Sequence, residues 1–418
     1  MFNPQLNGKP VVVLSNNDGC IVSRSNEAKA LNIPMTAPWH EVESQALKAG
    51  VQVYSSNYEL YGDMSKRFFS ILNEDFNPDD LEPYSIDECF IHLTSYKDVF
   101  NLKEYCTAVI NKIQKWLGLP CCIGIGHSKT QAKLANHFAK KHAGFQYVCD
   151  LTTLDLCTFE NLLLETNVSE IWGIGRKISK QLQSYGILNC YDLTFANEHY
   201  LVREFSVLMA RTIRELKGQS CIHLDDPHIP SKRILSSRSF ASPLTQKQLL
   251  KQAMVFHLKR AHQRLMSQQQ LSSCIHISLY EKVPSPPYKK SMTQAIGLEY
   301  ATDDLLLLSQ IAMQQIDVLY QKNISYVKIA VMFSALHSKR QHIDDLWQPK
   351  QLIQQRNELM QTLLQAQQRY GYECIQVGYH SNQNHWQMKQ QYRSPRYTTR
   401  WNEMLCIDDS HLAVTQNK

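Results

Sequence analysis

The stretch Tyr84-Ser85-Ile86-Asp87-Glu88-Cys89-Phe90 sets two adjacent carboxylates inside an apolar run, with His92-Leu93 close behind. Carboxylates are seldom buried unless they are paired or bind a metal. In a strand-like setting the pair is a candidate site for a hard divalent cation, which takes carboxylate oxygens. The alternative is a strand end whose two acids face water. Neighbours in a strand point to opposite faces, so both acids reach one site only where the strand ends or bends. Around this stretch strands and helices alternate. Val11-Val12-Val13-Leu14 is a β-branched run fit for a buried strand. Asn26–Leu31 and Tyr58–Leu72 read as helices, and Asp98–Leu117 as another, with Val109, Ile110, Ile113 and Trp116 on one face. Cys121–Gly126 predicts a strand and Ser128–Lys141 a helix. The alternation predicts an α/β or α+β core.

At 418 residues the chain is long enough for two to four domains. Apolar content of 43% and charged content of 20% are those of a soluble globular protein. The net charge of +6, from 44 basic and 38 acidic residues, is a mild excess, so the placement of the basic groups matters more than their number. The 12 cysteines show no Cys-x-x-Cys spacing, which leaves zinc and thioredoxin-like readings without support. This usage suits a reducing cytoplasm. No signal peptide is evident, and no apolar run approaches the roughly 18 residues of a membrane span. The expected location is the cytoplasm.

The later part of the chain repeats the alternation. Arg233–Phe240 predicts a strand, and Thr245-x-x-Gln248 a capping box opening a helix. Strands follow at Cys274–Tyr280 and Ser291–Tyr300. Thr302-Asp303-Asp304 caps a helix with Leu306, Ile311, Ile316 and Leu319 inward, and Tyr326–Phe333 closes the unit. This is βαββαβ, a split ferredoxin-like domain of about 100 residues. His337–His342 reads as a polar linker, followed by a glutamine-rich helical stretch and an aromatic, basic tail.

Three basic constellations bear on function. Lys129, Lys133 and Lys140 share one broad face of the Ser128–Lys141 helix, with Lys141 beside them. Beside an acidic metal site, such a row suits a substrate carrying several phosphates; otherwise it is a solvated face. Gly124-x-Gly126 lacks the Lys-Ser/Thr partner of a Walker motif. Trp172-Gly173-Ile174-Gly175-Arg176-Lys177 suits a helix–hairpin–helix: glycines admit a phosphate, and the N–H groups of the next helix bind it. The alternative is an ordinary glycine turn. Arg233 and Arg238 point to opposite faces of their strand, and Arg238 is the candidate for phosphate contact, or else a charge that blunts an exposed edge.

Taken together, these pieces resemble the Y-family of translesion DNA polymerases, UmuC type. The resemblance runs nearly end to end. Its motifs are Gly8-Lys9-Pro10-Val11-Val12-Val13, Ser15-Asn16-Asn17-Asp18-Gly19-Cys20, Glu27-Ala28-Lys29-Ala30-Leu31, Ser56-Asn57-Tyr58-Glu59-Leu60-Tyr61, Ser85-Ile86-Asp87-Glu88, Ala132-Lys133-Leu134-Ala135-Asn136 and Trp172-Gly173-Ile174-Gly175. Trp386-Gln387-Met388-Lys389 and Ser394-Pro395-Arg396-Tyr397-Thr398-Thr399-Arg400 resemble the UmuC branch in particular.

The resemblance implies an α+β multidomain protein on a right-hand plan. An N-terminal remnant with fingers spans 1–75, palm 76–166, thumb 167–231, a βαββαβ little finger 232–336, and linker with a UmuC-type C-terminal region 337–418. By it, Asp87 and Glu88 are catalytic and bind Mg²⁺. Cys20 and Val22 roof the nascent base pair, and Lys29 and Lys140 hold the incoming dNTP. DNA is gripped by Lys133, by Gly173, Gly175, Arg176 and Lys177 of the thumb hairpin, and by Arg238. The implied reaction is error-prone addition of dNTPs to a primer opposite damaged template in the SOS response, by a two-metal mechanism. Ile343-Asp344-Asp345-Leu346-Trp347 resembles a degenerate sliding-clamp motif, with Ile343, Leu346 and Trp347 as anchors; the alternative is a loop packing on its own domain. A UmuD-like protein and RecA are the further partners implied, with no membrane.

One departure stands out. Family members begin with a palm strand carrying another metal-binding aspartate, and no Asp-x-Asn-x-Phe-Tyr-like segment precedes Val11. The expectation is that the start is assigned late, Met1 standing for an in-frame valine codon. As written, the chain is expected to give no primer extension with Mg²⁺ and dNTPs. The alternative function is a catalytically inactive DNA-binding and clamp-docking protein.

Overall fold

In a computed structural model, the described residues are 2–224, 231–285, 289–341, 350–371, 375 and 388–405. The chain divides into two compact units, one built on 57–224 with described flanks 2–7 and 395–405, the other on 8–56 and the described parts of 231–394.

The second unit opens with β1 (Val11–Leu14), β2 (Ile21–Arg24), α1 (Asn26–Ala30), α2 (Trp39–Lys48) and β3 (Gln52–Ser55). The sheet order is β2-β1-β3, with β1 antiparallel to β2 and parallel to β3. Val12, Leu14, Ile21, Ala28 and Trp39 form its core, as the β-branched run requires.

The first unit follows: α3 (Tyr58–Asp75), β4 (Leu81–Pro83), β5 (Cys89–Ile91), α4 (Leu102–Leu117), β6 (Ile123–Ile125), α5 (Lys129–Lys141), β7 (Val148–Asp150) and α6 (Leu156–Glu165). Then come α7 (Arg176–Ser184), α8 (Cys190–Thr194), α9 (Glu198–Glu204) and α10 (Val207–Leu216). Two two-stranded sheets form, β4–β5 antiparallel and β6–β7 parallel. Helix α4 starts at the Asn101 cap, later than the Asp98 expected, because the Asn101 side chain accepts from Lys103 N and Glu104 N. It buries Val109, Ile110 and Ile113, whereas Trp116 is exposed beneath the Lys112 ammonium, 4.8 Å from its ring.

Strand β6 lies so close to α5 that only glycine fits at Gly124. A Cβ there would meet Asn136 N at 2.1 Å and Ala132 O at 2.3 Å. Both are backbone atoms and cannot rotate away, so Gly124→Ala is expected to cost about 2–3 kcal/mol. Thermal unfolding checks this; an unchanged midpoint would mean that α5 can shift freely against β6.

The second unit resumes with β8 (Ile234–Leu244), α11 (Lys247–Ser267), β9 (Gln270–Lys282), β10 (Lys289–Thr302), α12 (Leu305–Leu319), β11 (Tyr326–Ser338) and α13 (Lys350–Tyr370). This is the expected βαββαβ order, in a sheet ordered β10-β9-β11-β8. Helix α11 begins at Lys247 after Gln246, so Thr245 is not its cap and the predicted capping box does not form. Helix α12 is capped by Asp304, but its buried stripe is Leu305, Leu308, Ala312 and Ile316; Leu306, Ile311 and Leu319 flank it. Strand β11 continues through His337 and Ser338 by pairing with Leu271 and Gln270, so the linker starts later than its polarity suggested. Helix α13 adds Met360 and Leu363 to this core.

Candidate active site and nucleic-acid interface

The acid pair lies in the turn between β4 and β5, not within a strand. The turn closes where Tyr84 N and Ser85 N both donate to Glu88 O, at 3.0 and 3.1 Å. Breaking the alternation here lets the adjacent acids serve one region. Ser85 Oγ donates to Asp87 Oδ1 at 2.7 Å, and Ser65 Oγ of α3 donates to Ile86 O at 2.6 Å. Asp87 itself is exposed.

Helix α5 grips this hairpin with two lysines one turn apart. Lys133 Nζ lies 2.7 Å from Glu88 Oε1, and Lys129 Nζ pairs with Glu82 Oε2, both of the latter side chains being buried. The ammonium groups also lie over aromatic faces: Lys133 is 4.7 Å from the Tyr84 ring centre, and Lys129 5.0 Å from that of Phe90. Thus the lysine row divides. Lys129 is a structural tie, Lys133 neutralises Glu88, and Lys140 and Lys141 are exposed. Glu82 was not anticipated. The signal available was its even spacing from Glu88, matched by lysines four apart on α5.

A cavity of about 330 Å³ opens between β5 and β6, each of which pairs on only one edge among the described residues. Phe68, Leu72 and Ile113 are among its apolar lining residues, and Asp87, Glu88, Lys133 and Lys140 line it as well. Burial pushes the thiols of Cys89 and Cys106 up to about 12 and that of Cys121 to about 11, so these lining cysteines stay neutral.

The glycine hairpin meets the acid hairpin through Trp172, whose Nε1 donates to Tyr84 Oη at 3.0 Å and whose ring packs on Tyr84 and Phe90. Gly173 takes a positive φ of 87°, and both Gly173 and Gly175 are exposed with open space around them. Gly175 caps α7, whose first residues Arg176 and Lys177 are exposed. The first-turn N–H groups of α7 therefore sit beside two cations, the arrangement that accepts a phosphate.

In the other unit, Val22 is exposed, Cys20 is half-buried and bridged to Pro38, and Lys29 Nζ donates to Asn26 Oδ1 at 3.1 Å. Arg238 departs from its expected setting. It is half-buried on the helix-covered side of the sheet, its guanidinium 5.8 Å from the Phe256 ring of α11. Ile234, Ser236 and Phe240 share that face in alternation and are buried. The opposite face instead aligns Ser237 and Ser239 with Ala330 and Lys328, then Ser278 and Tyr280, then Thr293 and Ser291. This hydroxyl-rich face was not anticipated, because no single stretch of sequence displays it. Ile343, Leu346 and Trp347 lie outside the described residues. Among the described residues, no helix is long and apolar enough to cross a membrane.

The impB/mucB/samB family profile matches residues 1–137, its C-terminal domain residues 231–346, and a domain of unknown function, DUF4113, residues 357–407. Protein ImpB of Salmonella typhimurium is 32% identical over 409 residues, covering 97% of this chain and 95% of that protein. Protein UmuC of Salmonella typhimurium is 33% identical over 412 residues, covering 97% and 96%. Among solved structures, a Y-family polymerase chimera of Dbh and Dpo4 matches with a TM-score of 0.64 and 17% identity, over 80% of this chain and 94% of that one. The insertion ternary complex of Dbh DNA polymerase matches with a TM-score of 0.53 and 16% identity, over 79% and 93%. These likenesses give the fold as the α+β multidomain polymerase fold. The chain belongs to the impB/mucB/samB family, the UmuC type of Y-family DNA polymerases.

Proposed function

We propose that this chain is the DNA-synthesising subunit of an error-prone translesion system, extending a primer opposite damaged template. The observation that carries this reading is the acid hairpin clamped by α5 beside a cavity, with Asp87 exposed at its tip. Among the described residues no cluster of three or more acidic, His or Cys groups could hold a metal unaided. Mg²⁺ fits such a sparse donor set, because it is commonly held by one or two carboxylates together with substrate phosphates. Asp87 and Glu88 are the residues that would hold it. When bound, the divalent ion would activate the primer 3′-hydroxyl and neutralise charge on the leaving pyrophosphate. Lys133, by pairing with Glu88, restrains that carboxylate's rotamer. Through the family relationship, Lys29 and Lys140 are each proposed as contacts for the triphosphate, and Cys20 and Val22 as contacts for the nascent base pair.

Template–primer binding is assigned to the Gly173–Lys177 hairpin and to the hydroxyl-rich face around Ser237, Ser239 and Lys328. Such groups bind phosphates without reading bases. Arg176→Ala with Lys177→Ala is expected to lower the slope of log K against log salt by about 1.8, uniformly across sequences. Fluorescence anisotropy with duplexes of different sequence measures it, and an unchanged slope would remove the hairpin from the interface. A UmuD-like protein, RecA and a sliding clamp are proposed partners through the family relationship.

Primer extension with purified protein, Mg²⁺ and dNTPs tests the whole reading. The Lys133–Glu88 ion pair also suits a second reading, a DNA-binding protein without catalysis. Duplex binding without any nucleotide addition would select that second reading.

A further inference from the structure

The β1–β2 connection is held in an unusual backbone conformation, and a C-terminal segment is among the groups that hold it, alongside Ser55 and Ser239, whose carbonyl accepts from Asn17 Nδ2 at 3.0 Å. Asn17 and Asp18 take φ values of 62° and 52°, two consecutive non-glycine residues in the left-handed region. That region is disfavoured by contacts of Cβ with the backbone, and although Asn and Asp tolerate it best, two such residues in succession are an uncommon conformation that the surroundings help to fix. Asp18 is buried, with 7% exposure. Its Oδ1 accepts from Ser55 Oγ at 2.6 Å, and its Oδ2 accepts from Gln391 N at 2.8 Å. Asn17 Oδ1 accepts from Lys389 N at 3.1 Å. Two backbone donors of the C-terminal segment thus reach the two strained residues directly.

The same segment is anchored along β3. Ser55 N donates to Tyr392 O at 3.0 Å, Tyr392 N donates to Ser55 Oγ at 3.0 Å, and Gln390 Nε2 donates to Ser56 O at 2.7 Å. The Tyr392 ring packs on the β1–β3 core, and its hydroxyl donates to Glu43 Oε1 at 3.2 Å. Cys20, which follows the turn, is tied back to it: Cys20 N donates to Ser15 Oγ, and Ser15 N to Cys20 O. The turn therefore sets where β2 begins.

We propose that Lys389–Tyr392, within the match to the domain of unknown function, is a positioning element of nucleotide selection. It holds the Asn17–Asp18 turn, and through it the placement of Cys20 and Val22. The proposal rests on the polymerase reading for the role of Cys20 and Val22. The hold on the turn stands on geometry alone.

The test uses the full chain with Gln391→Pro or Lys389→Pro, each removing one backbone donor to the turn, and Asp18→Asn as the conservative variant. Hydrogen exchange of residues 16–21 is followed, with α4 as internal control. Gln391→Pro is expected to speed exchange there about tenfold with α4 unchanged, and Asp18→Asn less. In primer extension the KM for dNTP is expected to rise about fivefold or more in Gln391→Pro, with kcat within about twofold. Unchanged exchange at 16–21 in both proline variants would overturn the proposal, as would faster exchange with unchanged KM. If Gln391→Pro also loosens α4, it has unfolded, and Lys389→Pro, at an exposed position, decides. If unmodified protein extends no primer, the polymerase reading fails, and the exchange result alone upholds or overturns the tail's hold on the turn.

Discussion

On the polymerase reading, which sets aside the expectation that the chain as written extends no primer, replacing Asp87 with alanine is expected to slow primer extension about 1,000-fold, equivalent to about 4 kcal/mol of lost transition-state stabilisation. Asp87 is exposed, and the backbone hydrogen bonds that close its turn run from Tyr84 and Ser85 to Glu88. Among the described residues its own side chain accepts only a local bond from Ser85 Oγ, so the hairpin survives the substitution. The melting temperature is expected to stay within about 1 °C, as for most surface changes. Loss of rate without loss of fold separates a catalytic carboxylate from a structural one. Asp87→Asn sharpens the point: it keeps the shape and the Ser85 contact while removing the charge that a divalent ion needs. Single-turnover extension rates that are equal in the unmodified protein and in the Asp87→Asn and Asp87→Ala variants would take this residue out of the chemistry.

Much of this site is legible in the sequence, for identifiable reasons. Carboxylates adjacent in sequence and lysines four apart are local patterns, and local periodicity survives folding. What the pattern does not supply is the partner of each lysine, because Glu82 and Glu88 come from a hairpin more than 40 residues away. The apolar run around the acid pair reads as a strand; the structure puts the pair in a turn, where the geometric difficulty of two neighbours serving one site disappears. Arg238 stands out by its polar neighbours, yet the parity of its strand turns it toward Phe256. Parity is readable, but which parity faces the helices depends on Ile234 and Phe240 being buried together. The docking of Lys389–Tyr392 on Ser55 and Asp18 has no local signature at all.

Glu215→Ala is expected to be the most damaging single change to stability, costing about 4 kcal/mol and lowering the melting temperature by roughly 10 °C. Glu215 is fully buried at the end of α10. Its Oε1 accepts from Cys221 N at 2.6 Å and Ile222 N at 3.1 Å, and its Oε2 from Thr130 N at 3.0 Å. Alanine would remove the acceptor of three backbone donors, of which Thr130 N is buried and those of Cys221 and Ile222 half-buried, and the cost of a donor left unpaired is larger than the worth of the bond. Thr130 lies in the first turn of α5, where a carboxylate also complements the positive end of the helix. The same corner is tied by Ser128 Oγ donating to Glu215 O at 2.6 Å and Gln131 Nε2 donating to Leu216 O at 2.9 Å. The first turn of α5 also carries Lys129, and the second Lys133, the two residues that clamp the acid hairpin. Loosening that corner therefore reaches the site. At temperatures where the Glu215→Ala protein is still folded, primer extension is expected to fall several-fold, by the positional sensitivity of such sites. Glu215→Gln keeps one acceptor oxygen and should fall between. A melting shift under about 2 °C for the alanine variant would mean that water or a rearranged side chain satisfies the three donors, and that α5 is held by its Gly124 contact and its lysine pairs instead.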